Sequence, residues 1–185
     1  MAQQQCCNKL KLLFTKDSVL AIIDENVTIE TTIARMRGDP PTGRPLETGV
    51  DTSKIAMGGV LGQCECDGRK LKILMYWSCP LSPSQSQWPP FEQEFWGLMC
   101  LKREIIKQFG RTPINMHTDH ANITRLEYLP LQRIDAKHFR WFNELTQDGS
   151  LLLYRIGSGI MQRLPDALSR NPPYRDELIL ARTED

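Results

Sequence analysis

The hydrophobic period of the chain changes near residue 90, and no other feature limits its fold so strongly. Before that point the apolar residues fall into three short runs: LETGVD (46–51), IAMGGVLGQCEC (55–66) and RKLKILMYWSCPL (69–81). In the third run Leu71, Ile73, Met75 and Trp77 alternate with Lys72, Leu74, Tyr76 and Ser78, the period of a strand. The stretch CDGRK (66–70) between the second and third runs carries a hairpin signal. A polar, proline-rich loop, SPSQSQWPP, then leads into FEQEFWGLMCLKREIIKQFG (91–110). There Phe95, Leu98, Met99, Lys102, Ile105 and Ile106 recur at helical spacing, and Gly110 is a natural stop. Further on, PINMHT predicts a fourth strand, ANITRLEYL a short helix, IDAKHFRWFNELTQDG a longer one, SLLLYRIGSG a fifth strand, and LPDALSRN a last helical turn with Pro165 early in it. Three strands joined as hairpins, followed by strand–helix alternation, imply an α/β fold: a mixed five-stranded sheet flanked by helices.

With 185 residues, 41% of them hydrophobic, the chain can bury a real core. No apolar run approaches the ~20 residues of a membrane span. The start, MAQQQCCNKLKLLF, lacks a clear small-residue cleavage site, so no signal peptide is expected. Residues 8–24 read as an amphipathic helix, a turn and a short strand, and RMRGDPPTGRP (35–45) as a linker or exposed loop. A boundary is therefore expected near residue 45. The six cysteines have no zinc or redox spacing, which favours free thiols in a reducing compartment. The net charge of +1 neither predicts nor excludes a nucleic-acid partner. Two basic sets stand out locally: KREIIKQFGR (102–111), and Arg125, Arg133, Lys137, His138 and Arg140. Each is either a solvated helix face or a row of phosphate contacts.

The stretch PINMHTDHANI (113–123) places Asp119 between His117 and His120, where an apolar strand meets a loop. A helix cap, a metal ligand and a catalytic base all fit that position. Three other acids lie in comparable places: Asp51 at the end of the first strand, Glu94 in the first turn of the long helix, and Asp166 at the opening of the last helical turn. Singly, each has a structural reading, a favourable dipole contact for Glu94 and caps for Asp119 and Asp166. Jointly, four converging carboxylates suit hydrolysis of a phosphodiester by two divalent ions, since the cations remove the repulsion between the acids. Oxygen donors suit Mg²⁺, so His117 and His120 are read as strand or loop packing, with His120 at the rim of the cleft.

The blocks VDTSKIAMGGVLGQ, FEQEFWGLM, MHTDHANITRLEYL, AKHFRWFNELTQDGSLLLYRIGSG and PDALSR resemble, in order and approximate spacing, the ribonuclease H domain of reverse transcriptases from gypsy-type LTR retrotransposons. The likeness covers about residues 45–171. KLKLLFTKDSVL, before it, resembles the stretch joining the polymerase region to that domain, and no polymerase Tyr-x-Asp-Asp motif is present. The resemblance implies a connection-like segment over 1–44, a ribonuclease H-like domain over 45–171 and a tail over 172–185. It implies cleavage of the RNA strand of an RNA–DNA hybrid, with Asp51, Glu94, Asp119 and Asp166 holding two Mg²⁺ ions, or Mn²⁺ in their place. Asp51 would bridge both ions, Glu94 and Asp119 would hold the one nearer the leaving 3′ oxygen, and Asp166 the one that activates water. Nucleic-acid contacts fall to Ser53, Gly58, His120, Asn122 and Arg140. The partners implied are the hybrid and the remainder of a reverse-transcriptase polyprotein, in the cytoplasm or nucleus. The oligomeric state is left open.

Gly58 and Gly59 bring backbone either to a sugar edge or to a packed neighbour. Trp141 and Phe142, spaced with Ile134 and Leu145, read as core ahead of a stacking surface beside Arg140. Thr52-Ser53 stands where the family has Ala-Ser, and YRIGSGIMQRLPD is longer than its counterpart and lacks the histidine of many relatives. These departures leave Asp166 the least secured ligand. They keep open a degenerate module that binds nucleic acid or another subunit without cutting. An integrase-like core would lack the glutamate at Glu94.

Overall fold

The sheet is built as the period change predicts. The computed structural model describes residues 46–64, 71–154 and 160–170. The readings made for 8–24 and 35–45, the turn at 66–70, the loop at 155–159 and the tail from 172 lie outside the described residues. Strands β1 (Leu46–Thr52), β2 (Ala56–Cys64), β3 (Leu71–Pro80), β4 (Ile114–Thr118) and β5 (Leu151–Tyr154) form one sheet in the order β3-β2-β1-β4-β5. β1 runs antiparallel to β2, with Asp51 opposite Gly58, and β2 antiparallel to β3. β1 is parallel to β4, and β4 to β5. Parallel neighbours need crossovers. Helix α1 (Pro90–Phe109) lies between β3 and β4, and α2 (Ala121–Arg125) and α3 (Ala136–Thr146) lie between β4 and β5; α4 (Ile160–Arg170) follows the last strand.

The strict alternation expected in β3 breaks at a bulge. Leu61 pairs with Met75 but its neighbour Gly62 pairs with Ile73, so Leu74 has no opposite residue. An extra residue flips the side-chain phase. Leu71 and Ile73 therefore join Tyr76 in a small cluster with Val60 and Leu164, while Leu74, Met75 and Trp77 belong to the main core. That core unites Leu46, Val50 and Leu61 with Phe95, Leu98, Met99, Leu101 and Ile105 of α1 and with Ile114, Met116 and Leu145. Each such side chain contributes about 1.5–3 kcal/mol on full burial. Ile134, Trp141 and Phe142 pack against it, and Trp141 meets Phe95 edge-on at 5.4 Å, the core reading of that helix.

Helices cover both faces, and two adjacent glycines show how closely. A Cβ on Gly59 would stand 2.6 Å from Leu101 Cδ2 of α1. One on Gly58 would stand 2.3 Å from the Pro165 carbonyl oxygen and 2.5 Å from the Ser169 nitrogen of α4. Both glycines thus serve helix-on-sheet packing, and α4 occupies the space that a sugar edge would need at Gly58. Pro165 is the sixth residue of α4, not an early one. Good helix formers ahead of it carry the helix back past the proline, which forgoes one intrahelical bond.

Lys102 departs from the solvated-face reading of 102–111. It is 2% exposed, and its Nζ donates to the Leu145 carbonyl (2.5 Å), Asp148 Oδ1 (2.7 Å) and Ser150 Oγ (3.3 Å). Ser150 Oγ in turn accepts from the Ile114 backbone N–H at 3.0 Å, so this ammonium ties α1, the end of α3 and the start of β4 together. Burial pushes the Cys100 thiol up to about 12.

Candidate active site

Because β1 and β4 are adjacent and parallel, their carboxyl ends open on the same side of the sheet. Such ends are where an α/β sheet presents side chains to a shared cleft. Asp51 is the sixth of seven residues in β1, and Asp119 follows Thr118, the last residue of β4. Glu94 comes to the same place from α1. It is the fifth residue of that helix rather than a member of its first turn, because the helix starts at Pro90, with proline in the first position.

Glu94 is 2% exposed, and both of its oxygens are engaged. Thr118 Oγ1 donates to Oε1 and also accepts the His120 backbone N–H at 3.0 Å. His120 Nδ1 lies 2.8 Å from Glu94 Oε2 and 3.0 Å from Asp119 Oδ1. The sequence Thr-Asp-His thus forms a bracket around a buried carboxylate. The His120 ring is partly exposed, and its Nδ1 stands between two of the acids. Burial pushes the Glu94 carboxyl up, against the bonds from His120 and Thr118. The bond to Glu94 in turn lifts the His120 imidazole to about 9, and Asp119 adds to that. Ligand atoms of Glu94, Asp119 and His120 all lie within 4.8 Å of one another. Two carboxylates and one imidazole at that spacing fit a divalent cation.

Asp51 is half-buried. Burial raises its pKa, the charges of Asp166 and Asp119 raise it further, and a bond from Ser169 opposes both. Ser169 Oγ lies 2.9 Å from Asp51 Oδ2 and 3.0 Å from the Asp166 carbonyl oxygen. Asp166 sits in the interior of α4, not at its opening, with its carboxylate exposed and bonded to Arg170 Nε at 2.5 Å. Thus Asp51 feels the charges of both Asp119 and Asp166. Neither cap reading applies: His120 is the N-cap of α2 and makes no side-chain cap bond, and Asp166 lies in the second half of its helix.

The remaining sequence-derived residues scatter. Ser53 closes the β1–β2 turn, accepting from the Ile55 and Ala56 backbone and donating to the Ser169 carbonyl at 2.6 Å. Asn122 and Arg140 are exposed, and Arg140 Nε bonds to the Ala136 carbonyl. His117 is buried on β4 and pairs through Nε2 with Glu47. Thr118 and Ser169 are the site residues that pattern reading missed. Both lie inside motifs already singled out, TDH and DALSR, but a hydroxyl's partner depends on tertiary contact. Between α1 and α3, a groove of about 620 Å³ is lined by Arg103, Lys107, Arg111 and Arg140.

A search of curated proteins returns no match. Among solved structures, the foamy viral protease–reverse transcriptase dRH in complex with ds DNA aligns with 86% of this chain and 27% of its own, at 12% identity and a TM-score of 0.59. The native prototype foamy virus protease–reverse transcriptase aligns with 87% of this chain and 23% of its own, at 12% identity and a TM-score of 0.50. RNase H1 from the halophilic archaeon Halobacterium salinarum NRC-1 aligns with 67% of this chain and 93% of its own, at 11% identity and a TM-score of 0.46. The chain spans about a quarter of the foamy viral proteins it resembles, and at these identities the likeness is one of fold. No described helix is long and apolar enough to cross a membrane. Residues 42–147 match the family described as the RNase H-like domain found in reverse transcriptase, a span that takes in Asp51, Glu94 and Asp119. That match covers more than half of the sequence, and the chain belongs to this family of reverse-transcriptase RNase H-like domains.

Proposed function

We propose that the protein hydrolyses the RNA strand of RNA–DNA hybrids, as the ribonuclease H portion of a gypsy-type retrotransposon reverse transcriptase. The observation that carries this reading is the meeting of Glu94 and Asp119, distant in sequence, in one cluster of ligand atoms, with Asp51 on the neighbouring parallel strand within reach of the Asp119 charge. Glu94 and Asp119 would hold one divalent cation, Mg²⁺ or Mn²⁺, and Asp51 with Asp166 a second. The chemistry that such ions supply when bound is polarisation of the scissile phosphodiester and easier deprotonation of the attacking water. The residues of the chain do the rest. Thr118 fixes the Glu94 carboxylate, Ser169 orients Asp51, and burial of Glu94 keeps bulk water from competing. Strand choice would rest on the 2′-hydroxyl, the group that distinguishes RNA from DNA. The exposed side chains of Asn122 and Arg140 are offered as contacts to the nucleic-acid backbone.

The test is cleavage of an end-labelled RNA–DNA hybrid by the wild type and by Asp119→Asn, with Mg²⁺ or with EDTA. Cutting should need the ion and fall by about 100-fold or more in the variant. Persistence of cutting in EDTA, or in Asp119→Asn, would sink the mechanism. A second reading draws on a specific observation. Arg170 already pairs with Asp166, and His120 stands between Glu94 and Asp119, so the acids have internal counter-charges. A binding module that does not cut would give hybrid binding without cleavage under any divalent ion.

A further inference from the structure

The geometry points to His120 Nδ1 as a nitrogen ligand, with Glu94 and Asp119, of the cation this cleft takes up. This inference rests on the preceding reading that the acids hold a divalent ion. The nitrogen faces both carboxylates at once, 2.8 Å from Glu94 Oε2 and 3.0 Å from Asp119 Oδ1. An octahedral ion with bonds of about 2.1 Å sets neighbouring donor atoms ~3.0 Å apart. The present N···O separations are therefore also those of adjacent ligands on one ion, which Nδ1 joins once the cation displaces the proton it now shares with the two carboxylates.

Two features hold the ring at that place. The His120 backbone N–H is bound by Thr118 Oγ1 at 3.0 Å, and its carbonyl accepts from Ile123 N–H at 3.0 Å as the first bond of α2. Thr118 holds the far oxygen of Glu94 as well, so the acid and the imidazole are indexed by one hydroxyl. The other two histidines are committed elsewhere, His117 to Glu47 and His138 to Glu92.

The consequence is selectivity. Mg²⁺ takes oxygen donors, whereas imidazole suits first-row transition metals, so one nitrogen in the set tilts the site towards Mn²⁺. The experiment uses the full chain loaded with Mn²⁺. Pulsed electron paramagnetic resonance should show nitrogen modulation from a directly bound imidazole in the wild type and none in His120→Asn. Calorimetry should show Mn²⁺ binding weakened at least about tenfold in His120→Asn, with Mg²⁺ binding changed much less. Mn²⁺ bound by the wild type without nitrogen modulation overturns the assignment whatever the variant does, and leaves the acid site standing. No Mn²⁺ or Mg²⁺ bound at all overturns the metal reading beneath it. Binding that survives in His120→Asn but is lost in Asp119→Asn, with no nitrogen signal in either, places the ion on carboxylates alone and also rejects the proposal.

Discussion

At the scale of single residues, the site depends on two hydroxyls that hold carboxylates in place. Ser169 Oγ is the one lying against Asp51, and it opposes the rise that burial and the Asp166 and Asp119 charges impose on that acid. Removing it with Ser169→Ala leaves only the weaker pull of the Arg170 charge against those three effects, so Asp51 should hold its proton to a higher pH. The acidic limb of the cleavage profile should then move to higher pH, and activity at alkaline pH should change less. A profile that drops evenly at every pH would show that Ser169 acts only through packing. The strand-end places of Asp51 and Asp119 were legible in the sequence because strand ends leave a pattern, whereas Glu94 and Asp166 lie deeper in their helices than the pattern implied. Thr118, Ser169 and the inward turn of His120 were not legible, because nothing in a linear string records which oxygen a hydroxyl or a ring nitrogen meets. Only a buried Glu94 requires partners, and its burial emerges from how α1 crosses the sheet.

At the scale of elements, Lys102 shows how helical periodicity can be right about position and silent about chemistry. It lies on the buried stripe of α1 with Leu98, Met99 and Ile105, where an apolar residue is the default. The stem packs as a hydrocarbon, and the ammonium finds three acceptors at the junction of α3 and β5. Burial raises Asp148, but the Lys102 and Ser150 bonds outweigh it and hold the carboxyl below its usual range. A depressed carboxyl contributes stability that is present above its unfolded pKa and is lost as pH falls through the folded value. In Lys102→Met the same carboxylate is buried without its cation, which costs about 3–5 kcal/mol. The thermal midpoint of the variant should therefore lie well below that of the wild type at pH 7. The gap should narrow at acid pH, as pH falls through the depressed range in which Asp148 takes up its proton. A gap that stays constant across this range would mean that the loss is packing and not charge. The β3 bulge makes a similar point about strands: alternation located β3 but not its phase, because one unpaired residue at Leu74 reverses every side chain beyond it.

At the scale of the whole molecule, strand order explains why function and stability pull against each other. The order β3-β2-β1-β4-β5 places β1 and β4 side by side, so that their carboxyl ends bring Asp51 and Asp119 to one end of the sheet, where α1 adds Glu94 beside Asp119. With only +1 of net charge overall, little long-range field offsets this concentration of acids. The raised pKa values of Asp51 and Glu94 register the cost, burial first and mutual repulsion after it. A ligand that binds the folded cleft and not the open chain must then raise stability in proportion to its occupancy, by about 2.7 kcal/mol at a hundredfold excess over Kd. Mg²⁺ or Mn²⁺ should accordingly raise the thermal midpoint of the wild type by several degrees over that in EDTA. In Asp119→Asn the rise should disappear, while the midpoint in EDTA stays equal to or above that of the wild type, because one of the crowded charges is gone and the exposed ion pair it leaves with His120 is worth little. A variant that melts lower than the wild type in EDTA, yet still gains stability from the ions, would mean that Asp119 supports the fold and does not serve the cation.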